Sequence, residues 1–365
     1  MKKIKAVILG NELPGDDLLW QKACDEYGDR VAWRSVNLNN DDWLEAVESV
    51  PFDILLAKPS GLTASYKQLY DERIYILGNI LGHIIYPSVE EILIYENKRF
   101  LSFWLNANRI PHPDTHVFYA FNEALRHIKI KGIPLVAKTG IGASGSGVRI
   151  LECSRDAEAY IRRAFSRKGA DRRVGPNLDK GQWLKRGLRY LIHPGDIKKK
   201  IWIYNALRSE VQSGFVILQE FIPHEFEWRV VRIGESFFAH KKLKRGDKAS
   251  GSLLKGYENP PLPLLDFVRD ITDRHKFFSQ AIDVFESDRG YLVNEMQCIF
   301  GQSDPYQMLV NGKPGRYICK REKWVFEKGD FNQNESYNLR IEYIVDFFKA
   351  KYDLDGEVLQ KQNLR

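Results

Sequence analysis

Two acidic side chains in the segment 281–297 are spaced so that they could hold a metal ion. Asp283 and Glu295 lie in apolar-rich runs that flank residues 288–290, a pattern typical of a β-hairpin whose three-residue loop ends in a left-handed glycine. This geometry places Asp283 opposite Glu295, with Cβ atoms about 4.5–5.5 Å apart, and Gln297 diagonal to Asp283 on the same face. Like charges so close repel, and Mg²⁺ favours one or two carboxylates together with substrate phosphates. The alternative is an ordinary solvent-facing hairpin with salt-screened acids.

A glycine-rich segment upstream could bind phosphate. The apolar run 133–138 is predicted to be a strand ending in Lys138, the loop 139–147 contains four glycines and two serines, and a strand resumes over 148–151. This spacing is not that of a Walker P-loop, which opens a helix. Backbone N–H groups of such a loop can surround a phosphate, and a compact cation beside it favours that interpretation over a flexible turn without a ligand. The loop residues that we expect to bind phosphate are Gly142, Ser144 and Gly145.

The first 95 residues alternate short apolar strands with helical segments. Strands are predicted over 4–9, 31–36, 52–57 and 84–86, and helices over 16–27, 41–50 and 66–81. This order indicates a small parallel sheet that is covered on both faces. The loop after the first strand lacks the glycine spacing of a dinucleotide site, so we interpret this lobe as a scaffold that lines one wall of a substrate cleft.

The composition is that of a globular protein with a sizeable core. The chain has 365 residues, of which 44% are hydrophobic and 28% are charged. The basic start is followed by an apolar run too short for a signal peptide, and the apolar stretch 74–85 is too interrupted to span a bilayer. Four widely separated cysteines without a CxxC pair predict a reduced, cytoplasmic protein without a structural zinc site.

The basicity of the chain is concentrated in one region. Residues 162–200 contain thirteen Lys or Arg against three Asp, a charge of +10, so the remaining residues carry −3 of the net +7. We therefore do not expect the body of the protein to bind nucleic acid. For the basic segment itself, a solvated insertion and the binding of a polyanion, a nucleotide-sugar or an anionic membrane all stay open.

The order and spacing of these motifs resemble the ATP-grasp superfamily over residues 85–310. The sequence Glu295-Met-Gln297 after Asp283 is similar to the family's Asp…Glu-x-Asn pattern, with Gln in the place of the usual Asn. The segment 219–316 is also similar to uncharacterised ATP-grasp proteins linked to surface-polysaccharide genes.

The resemblance implies a combined α/β and α+β architecture in which ATP is clamped between two subdomains. A Rossmann-like lobe would occupy residues 1–95, and a small α+β subdomain would occupy 96–215 with a basic insertion at about 162–200. A large α+β subdomain would occupy 216–365 and end in a C-terminal helix.

The resemblance also implies a role for each candidate residue. Lys98 and Lys138 would bind the nucleotide phosphates together with the glycine-rich loop. The segment Gln219, Glu220, Phe221 and Ile222 would present backbone groups to adenine, and Glu227 would bind the ribose hydroxyls. Asp283, Glu295 and Gln297 would hold Mg²⁺, with Mn²⁺ as an alternative ion. Arg229 and Lys242 would be catalytic cations, although Lys241, Lys244 and Arg245 compete for the role of Lys242.

The chemistry that the resemblance implies is ATP-dependent joining of a carboxylate to an amine through an acyl phosphate. The expected substrates are small molecules, such as an amino acid and a sugar derivative, and a homodimer stays open. Two alternatives remain. One is a kinase that phosphorylates a small molecule, and the other is a non-catalytic nucleotide-binding protein that docks on a polyanion through its basic insertion.

Overall fold

The predicted alternation of strands and helices in the N-terminal lobe is confirmed. The computed structural model describes residues 3–142, 147–170, 172, 194–245, 248–249 and 254–362. The lobe contains β1 (Ile4–Gly10), α1 (Leu18–Glu26), β2 (Val31–Asn37), α2 (Trp43–Glu48), β3 (Ile54–Ala57), α3 (Ala64–Tyr75), which continues as a π-helix over Ile76–Ile80, and β4 (Ile85–Tyr86). Its four strands form a parallel sheet in the order β2-β1-β3-β4.

A second, antiparallel sheet forms the small subdomain. Helices α4 (Val89–Ile94) and α5 (Lys98–Ala107) precede it, and α5 packs in the apolar core of the larger sheet described below. The elements of the small subdomain are β5 (Thr115–Phe118), α6 (Phe121–Lys131), β6 (Leu135–Lys138), β7 (Val148–Leu151), α7 (Ser154–Ala164), α8 (Pro194–Ser209) and β8 (Val216–Glu220). The strand order is β5-β8-β6-β7. Because β8 pairs with β5 and β6, the predicted boundary at residue 216 is wrong, and the small subdomain includes this strand.

A larger sheet forms the core of the large subdomain. Its elements are β9 (Phe226–Ile233), β10 (Ser236–Arg245), β11 (Lys248–Ala249), β12 (Lys255–Gly256), α9 (Leu262–His275), β13 (Ser279–Ser287), β14 (Gly290–Gln297), β15 (Leu309–Val310), β16 (Lys313–Lys320), β17 (Lys323–Lys328) and, after a 3₁₀ turn at Gln333–Ser336, α10 (Tyr337–Gln362). The main strand order is β14-β13-β9-β10-β16-β15. None of the helices in the described ranges has the length and apolar composition needed to cross a membrane.

The C-terminal helix α10 packs on the N-terminal lobe, which corrects its predicted place in the large subdomain. Tyr337 and Ile341 belong to the same buried apolar core as Trp20. The rings of Trp20 and Tyr337 meet edge to face, with centroids 4.8 Å apart. The apolar stripe of α10 is therefore buried mainly against α1 and the parallel sheet, so the chain ends by returning to its first lobe.

Residues 89–107 form two helices with a break between them. Helix α4 begins with a capping box between Ser88 and Glu91, and it ends before Glu96, which has the left-handed φ of 53°. Asn97 then caps α5 by accepting a hydrogen bond from the backbone N–H of Phe100. The break between the two helices brings Glu96 and Lys98 toward the large subdomain.

The hairpin of β13 and β14 has the predicted pairing but a different loop. Ser287 pairs with Gly290, so the loop contains two residues and not three. The shorter loop alone would shift the pairing register by one residue. Asn294 compensates for it, because it is an extra, unpaired residue of β14 between Val293 and Glu295, and Asp283 therefore still pairs with Glu295. The β-bulge restores the register that the sequence predicts.

The turn between β9 and β10 offers a test of this packing. Gly234 has φ +55°, and a Cβ added there would lie 2.5 Å from Cδ2 of Tyr343 in α10. Gly312, in the turn before β16, has φ +73° and open space around it. We expect Gly312→Ala to lower the free energy of unfolding by about 1 kcal/mol, the cost of a left-handed alanine, and Gly234→Ala to lower it by about 2 kcal/mol or more. Urea titration measures both, and equal losses would contradict the placement of α10.

Candidate active site

A buried carboxylate with two cationic partners lies at the centre of the large sheet. Asp283 on β13 is 1% exposed and stands opposite Arg229 of the neighbouring strand β9. Arg229 donates two hydrogen bonds to it, from Nε to Oδ1 at 2.8 Å and from Nη2 to Oδ2 at 2.9 Å. Lys242 on β10 donates a third from Nζ to Oδ2 at 2.6 Å. Three charge-assisted bonds to one carboxylate fix all three side chains.

A chain of hydrogen bonds runs from this centre to the small subdomain. Lys242 Nζ also donates to Glu227 Oε2 at 3.0 Å. The other oxygen of Glu227 accepts from Asn294 Nδ2 at 3.2 Å, and Asn294 Oδ1 accepts from Lys138 Nζ at 2.9 Å. Lys138 ends β6, the strand that leads into the glycine-rich loop, so the chain crosses from one subdomain to the other.

A second group of contacts connects Arg229 through Gln297 to Glu96 and Lys98. Gln297 accepts a long hydrogen bond of 3.4 Å from Arg229 and donates one of 3.0 Å to Glu96 Oε1. Lys98 Nζ lies 3.8 Å from Glu96 and 3.9 Å from Glu295. Lys98 also donates to the carbonyl oxygen of Gly142 at 2.5 Å, which joins α5 to the glycine-rich loop.

These residues form a charge cluster in which the signs balance. Four carboxylates face four cations, so the net charge is zero when all eight groups are ionised. The carboxylates are Glu96, Glu227, Asp283 and Glu295, and the cations are Lys98, Lys138, Arg229 and Lys242. Buried charges are stable only when they are paired, so the cluster can exist between the subdomains because its members neutralise one another.

Burial and pairing change the proton affinities of the cluster. Burial alone would raise the pKa of Asp283, but Arg229 and Lys242 outweigh that effect and hold its pKa well below the usual range. Burial lowers the pKa of Lys138 to about 8 and raises the pKa of Glu96 to about 7. Lys138 is therefore the cation of the cluster whose charge is least secure near neutral pH.

The structure distinguishes Lys242 from its neighbour Lys241. Lys242 is 6% exposed and contacts both Asp283 and Glu227. Its neighbour Lys241 contacts Glu258 and lies 4.1 Å above the ring centroid of Phe226, away from the cluster. The side chain of Arg245 is outside the described residues. Alternation along β10 therefore turns Lys242 toward Asp283 and turns Lys241 away.

The predicted hinge segment, residues 219–222, lies where β8 of the small sheet leads to β9 of the large sheet. The side chain of Gln219 is held within the small sheet, where Nε2 donates to Thr115 Oγ1 at 3.0 Å. Glu220 accepts a hydrogen bond of 2.7 Å from Arg289 at the tip of the β13–β14 hairpin. The side chains at 219 and 220 thus bond to other parts of the protein, so at these two positions backbone groups remain as candidates for binding a base.

An apolar floor and a cavity lie next to the hinge. Ile222 packs on Phe285 and Leu292 of the hairpin in a small buried cluster. A cavity of about 700 Å³ is lined by the hinge and the hairpin tip. Its lining residues are Glu220, Phe221, Ile222, Pro223, Glu286, Ser287, Asp288 and Arg289. Five of these eight residues are polar or charged, so the cavity is more polar than most small-molecule sites.

The predicted metal ligands have the right chemistry but unequal availability. Asp283 and Glu295 are adjacent oxygen donors, as Mg²⁺ prefers. Asp283 already accepts three hydrogen bonds, whereas Glu295 accepts none from the described residues. The described residues form no group of three or more His, Cys, Asp or Glu that could hold a metal alone. Two carboxylates therefore fit an ion that takes its other ligands from a phosphate, and Gln297 is less available because Arg229 and Glu96 occupy its amide.

Sequence reasoning missed Glu96, which belongs to the charge cluster, and Asn294, which bonds to two of its members. Nothing in the sequence around Glu96 reveals the left-handed break that turns its side chain inward. Asn294 precedes Glu295, so strand alternation places it on the opposite face, and only the β-bulge turns it toward Lys138. Ser144 and Gly145 of the glycine-rich loop lie outside the described residues, as does most of the basic segment.

Comparison with solved structures identifies the fold. D-alanine–D-alanine ligase from Bacillus anthracis aligns with a TM-score of 0.52 over 96% of this chain and 99% of that chain, at 13% identity. The ADP complex of purK, an N5-carboxyaminoimidazole ribonucleotide synthetase, aligns with a TM-score of 0.51 over 82% and 71%, at 11% identity. The biotin carboxylase domain of 2-oxoglutarate carboxylase from Hydrogenobacter thermophilus, complexed with MgADP, aligns with a TM-score of 0.51 over 84% and 66%, at 13% identity.

The protein therefore has the ATP-grasp fold, as the resemblance in sequence implied. The sequence matches no protein-family model and none of the curated proteins. At these low identities the structural similarity establishes the fold, and function has to be argued from the site itself.

The different roles of Asp283 and Glu295 can be tested by measuring the free energy of unfolding of variants. We expect Asp283→Asn to lower the free energy of unfolding by about 3 kcal/mol, because it leaves buried Arg229 and Lys242 without their carboxylate. The matched change Glu295→Gln should cost less than about 1 kcal/mol, since its side chain is 27% exposed and only a distant ion pair is lost.

Urea titration at several pH values measures both effects. The pKa of Asp283 is depressed, so its contribution is present above the unfolded-state pKa of about 3.9 and is lost as pH falls below it. The difference in the free energy of unfolding between wild type and Asp283→Asn should therefore become smaller below about pH 4. Equal losses for the two variants at neutral pH would contradict the assignment.

Proposed function

We propose that this protein is an ATP- and Mg²⁺-dependent ligase that joins a carboxylate to an amine. The observation that carries the proposal is the charge cluster, in which paired acids suited to a metal ion lie among four cations suited to phosphate. The cluster lies between the two subdomains of an ATP-grasp fold, and the MgADP complex of the biotin carboxylase domain supports the same choice of nucleotide and ion.

In this proposal the nucleotide lies along the cleft from the hinge to the charge cluster. Backbone groups of residues 220–222 contact adenine, and Glu227 accepts from the ribose hydroxyls. Lys98, Lys138 and the glycine-rich loop bind the phosphates, consistent with the hydrogen bond from Lys98 to Gly142. Asp283 and Glu295 would hold Mg²⁺, which when bound neutralises phosphate charge.

The proposed reaction has two steps. A carboxylate oxygen attacks the γ-phosphorus of ATP, the bond from that phosphorus to the bridging oxygen breaks, and ADP leaves with the electron pair. The amine nitrogen then attacks the carbonyl carbon of the acyl phosphate. The carbon–oxygen bond breaks, inorganic phosphate leaves, and the nitrogen loses a proton to give the amide.

The residues of the chain contribute position and charge. Arg229 and Lys242 are fixed by Asp283, so their positive charges are in place before the substrates bind. Lys138 and Lys98 extend this field toward the loop that would cover the phosphates. Exclusion of water protects an acyl phosphate from hydrolysis, which suits a site between two subdomains that can close.

The substrates are proposed to be an amino acid and a sugar derivative. The N-terminal lobe approaches the charge cluster through Gly61, where an added Cβ would lie 3.1 Å from Cγ of Glu96. Loops at the carboxyl ends of the parallel strands are the usual location of binding residues in such a sheet. This lobe is therefore the part of the chain that we expect to select the acid or the amine.

A screen for ADP release tests the proposed function. Amino acids and sugar acids are paired with amines in the presence of ATP and Mg²⁺, and ADP release should require both an acid and an amine. Glu295→Gln should lower the rate by about a hundredfold or more, because it removes a charged group at the developing phosphate charge. Glu258→Gln, on the exposed surface beside Lys241, is the matched control and should leave the rate unchanged. Transfer of phosphate to a hydroxyl with no need for an amine would identify a kinase instead.

The low pKa of Lys138 predicts how nucleotide affinity depends on pH. In the free protein Lys138 loses its proton near pH 8, and a bound phosphate would raise that value. Binding is then linked to proton uptake, so ADP affinity should fall by up to about tenfold per pH unit above pH 8. Calorimetric titration between pH 7 and 10 measures it, with Lys138→Met as the comparison. An equally steep fall in Lys138→Met would assign the dependence to another group.

A further inference from the structure

We propose that Asn294 is a positioning residue that sets the geometry of Lys138 and Glu227 for the nucleotide. This inference rests on the proposed function, because it assigns those two residues to the phosphates and the ribose of ATP. Asn294 lies between them, with Oδ1 2.9 Å from Lys138 Nζ and Nδ2 3.2 Å from Glu227 Oε1.

The backbone explains why this side chain is available. In a regular strand, Asn294 and Glu295 would point to opposite faces of the sheet. The β-bulge makes Asn294 the extra residue of β14, unpaired with β13, and its contacts show that it faces the same cleft as Glu295. Bulges commonly re-aim a side chain next to an active site.

The chemistry of the two neighbours favours an amide. A lysine ammonium can only donate hydrogen bonds, and an ionised glutamate can only accept them. Asparagine supplies an acceptor to Lys138 and a donor to Glu227 at once, without adding charge to the balanced cluster. An aspartate would repel Glu227, and an apolar side chain would leave both neighbours without this contact.

The contact also joins the two subdomains. Lys138 lies at the end of β6 in the small sheet, whereas Asn294 and Glu227 lie on β14 and β9 of the large sheet. Lys138 is 9% exposed, and the bond to Asn294 is the one hydrogen bond its Nζ donates to a described residue. Asn294 therefore holds the buried ammonium in one orientation and ties the phosphate end of the site to the ribose end.

Calorimetric titration of the full chain with ADP tests this role. We expect Asn294→Leu to weaken ADP binding by about tenfold, the effect of losing hydrogen bonds to charged groups. In a Lys138→Met background the same substitution should change affinity by less than about twofold, because its effect passes through Lys138. Asn259→Leu, at an exposed amide outside the cleft, is the matched control and should leave affinity unchanged.

The outcomes separate the inference from the proposed function. The positioning role is overturned if Asn294→Leu binds ADP with wild-type affinity. It is also overturned if the substitution weakens ADP binding equally in the wild-type and Lys138→Met backgrounds. If Asn294→Leu does not fold, Asn294→Ala is used with the same expectations. A different result is that Asn294→Leu weakens ADP binding only when Lys138 is present, while the wild-type protein releases no ADP with any acid and amine. That pair of results would support the positioning role and refute the ligase. A wild-type chain that binds no ADP would overturn both.

Discussion

The pairing of Asp283 with Arg229 and Lys242 is the interaction on which the site depends. The buried carboxylate and its two cationic partners come from three adjacent strands, and the sheet register fixes each of them. A charge in such a place is tolerated only when its partners are in position, so the order β13-β9-β10 is a requirement of the site as well as of the fold.

The rest of the charge cluster is arranged around that pairing. Lys242 extends it to Glu227, and Arg229 extends it toward Gln297 and Glu96. Lys138 on β6 and Lys98 on α5 reach the cluster from outside the large sheet, through contacts with Asn294 and Glu295. In the proposed function, a nucleotide with its metal ion would bring both negative and positive charge to this location, which would let it replace some of these contacts.

Much of the architecture could be predicted because it depends on local patterns. Alternating strands and helices predict the N-terminal sheet, and the hairpin pattern predicts the pairing of Asp283 with Glu295. The structure also brings Lys138 to the residue beside Glu295, as the family resemblance implied. The roles of these residues are still predictions. What the sequence does not reveal depends on single backbone deviations, namely the left-handed Glu96, the bulge at Asn294 and the two-residue hairpin loop. The return of α10 to the first lobe is a long-range contact, which no local pattern specifies.

The measurement that tests this account most directly is a crystal structure of the chain grown with ADP and Mn²⁺, with the metal located by its anomalous scattering. The account predicts an anomalous peak at Asp283 and Glu295, phosphate oxygens at Lys138 and Lys98, and adenine at the backbone of residues 220–222. A nucleotide bound elsewhere, or a metal ion with no contact to Glu295, would contradict it.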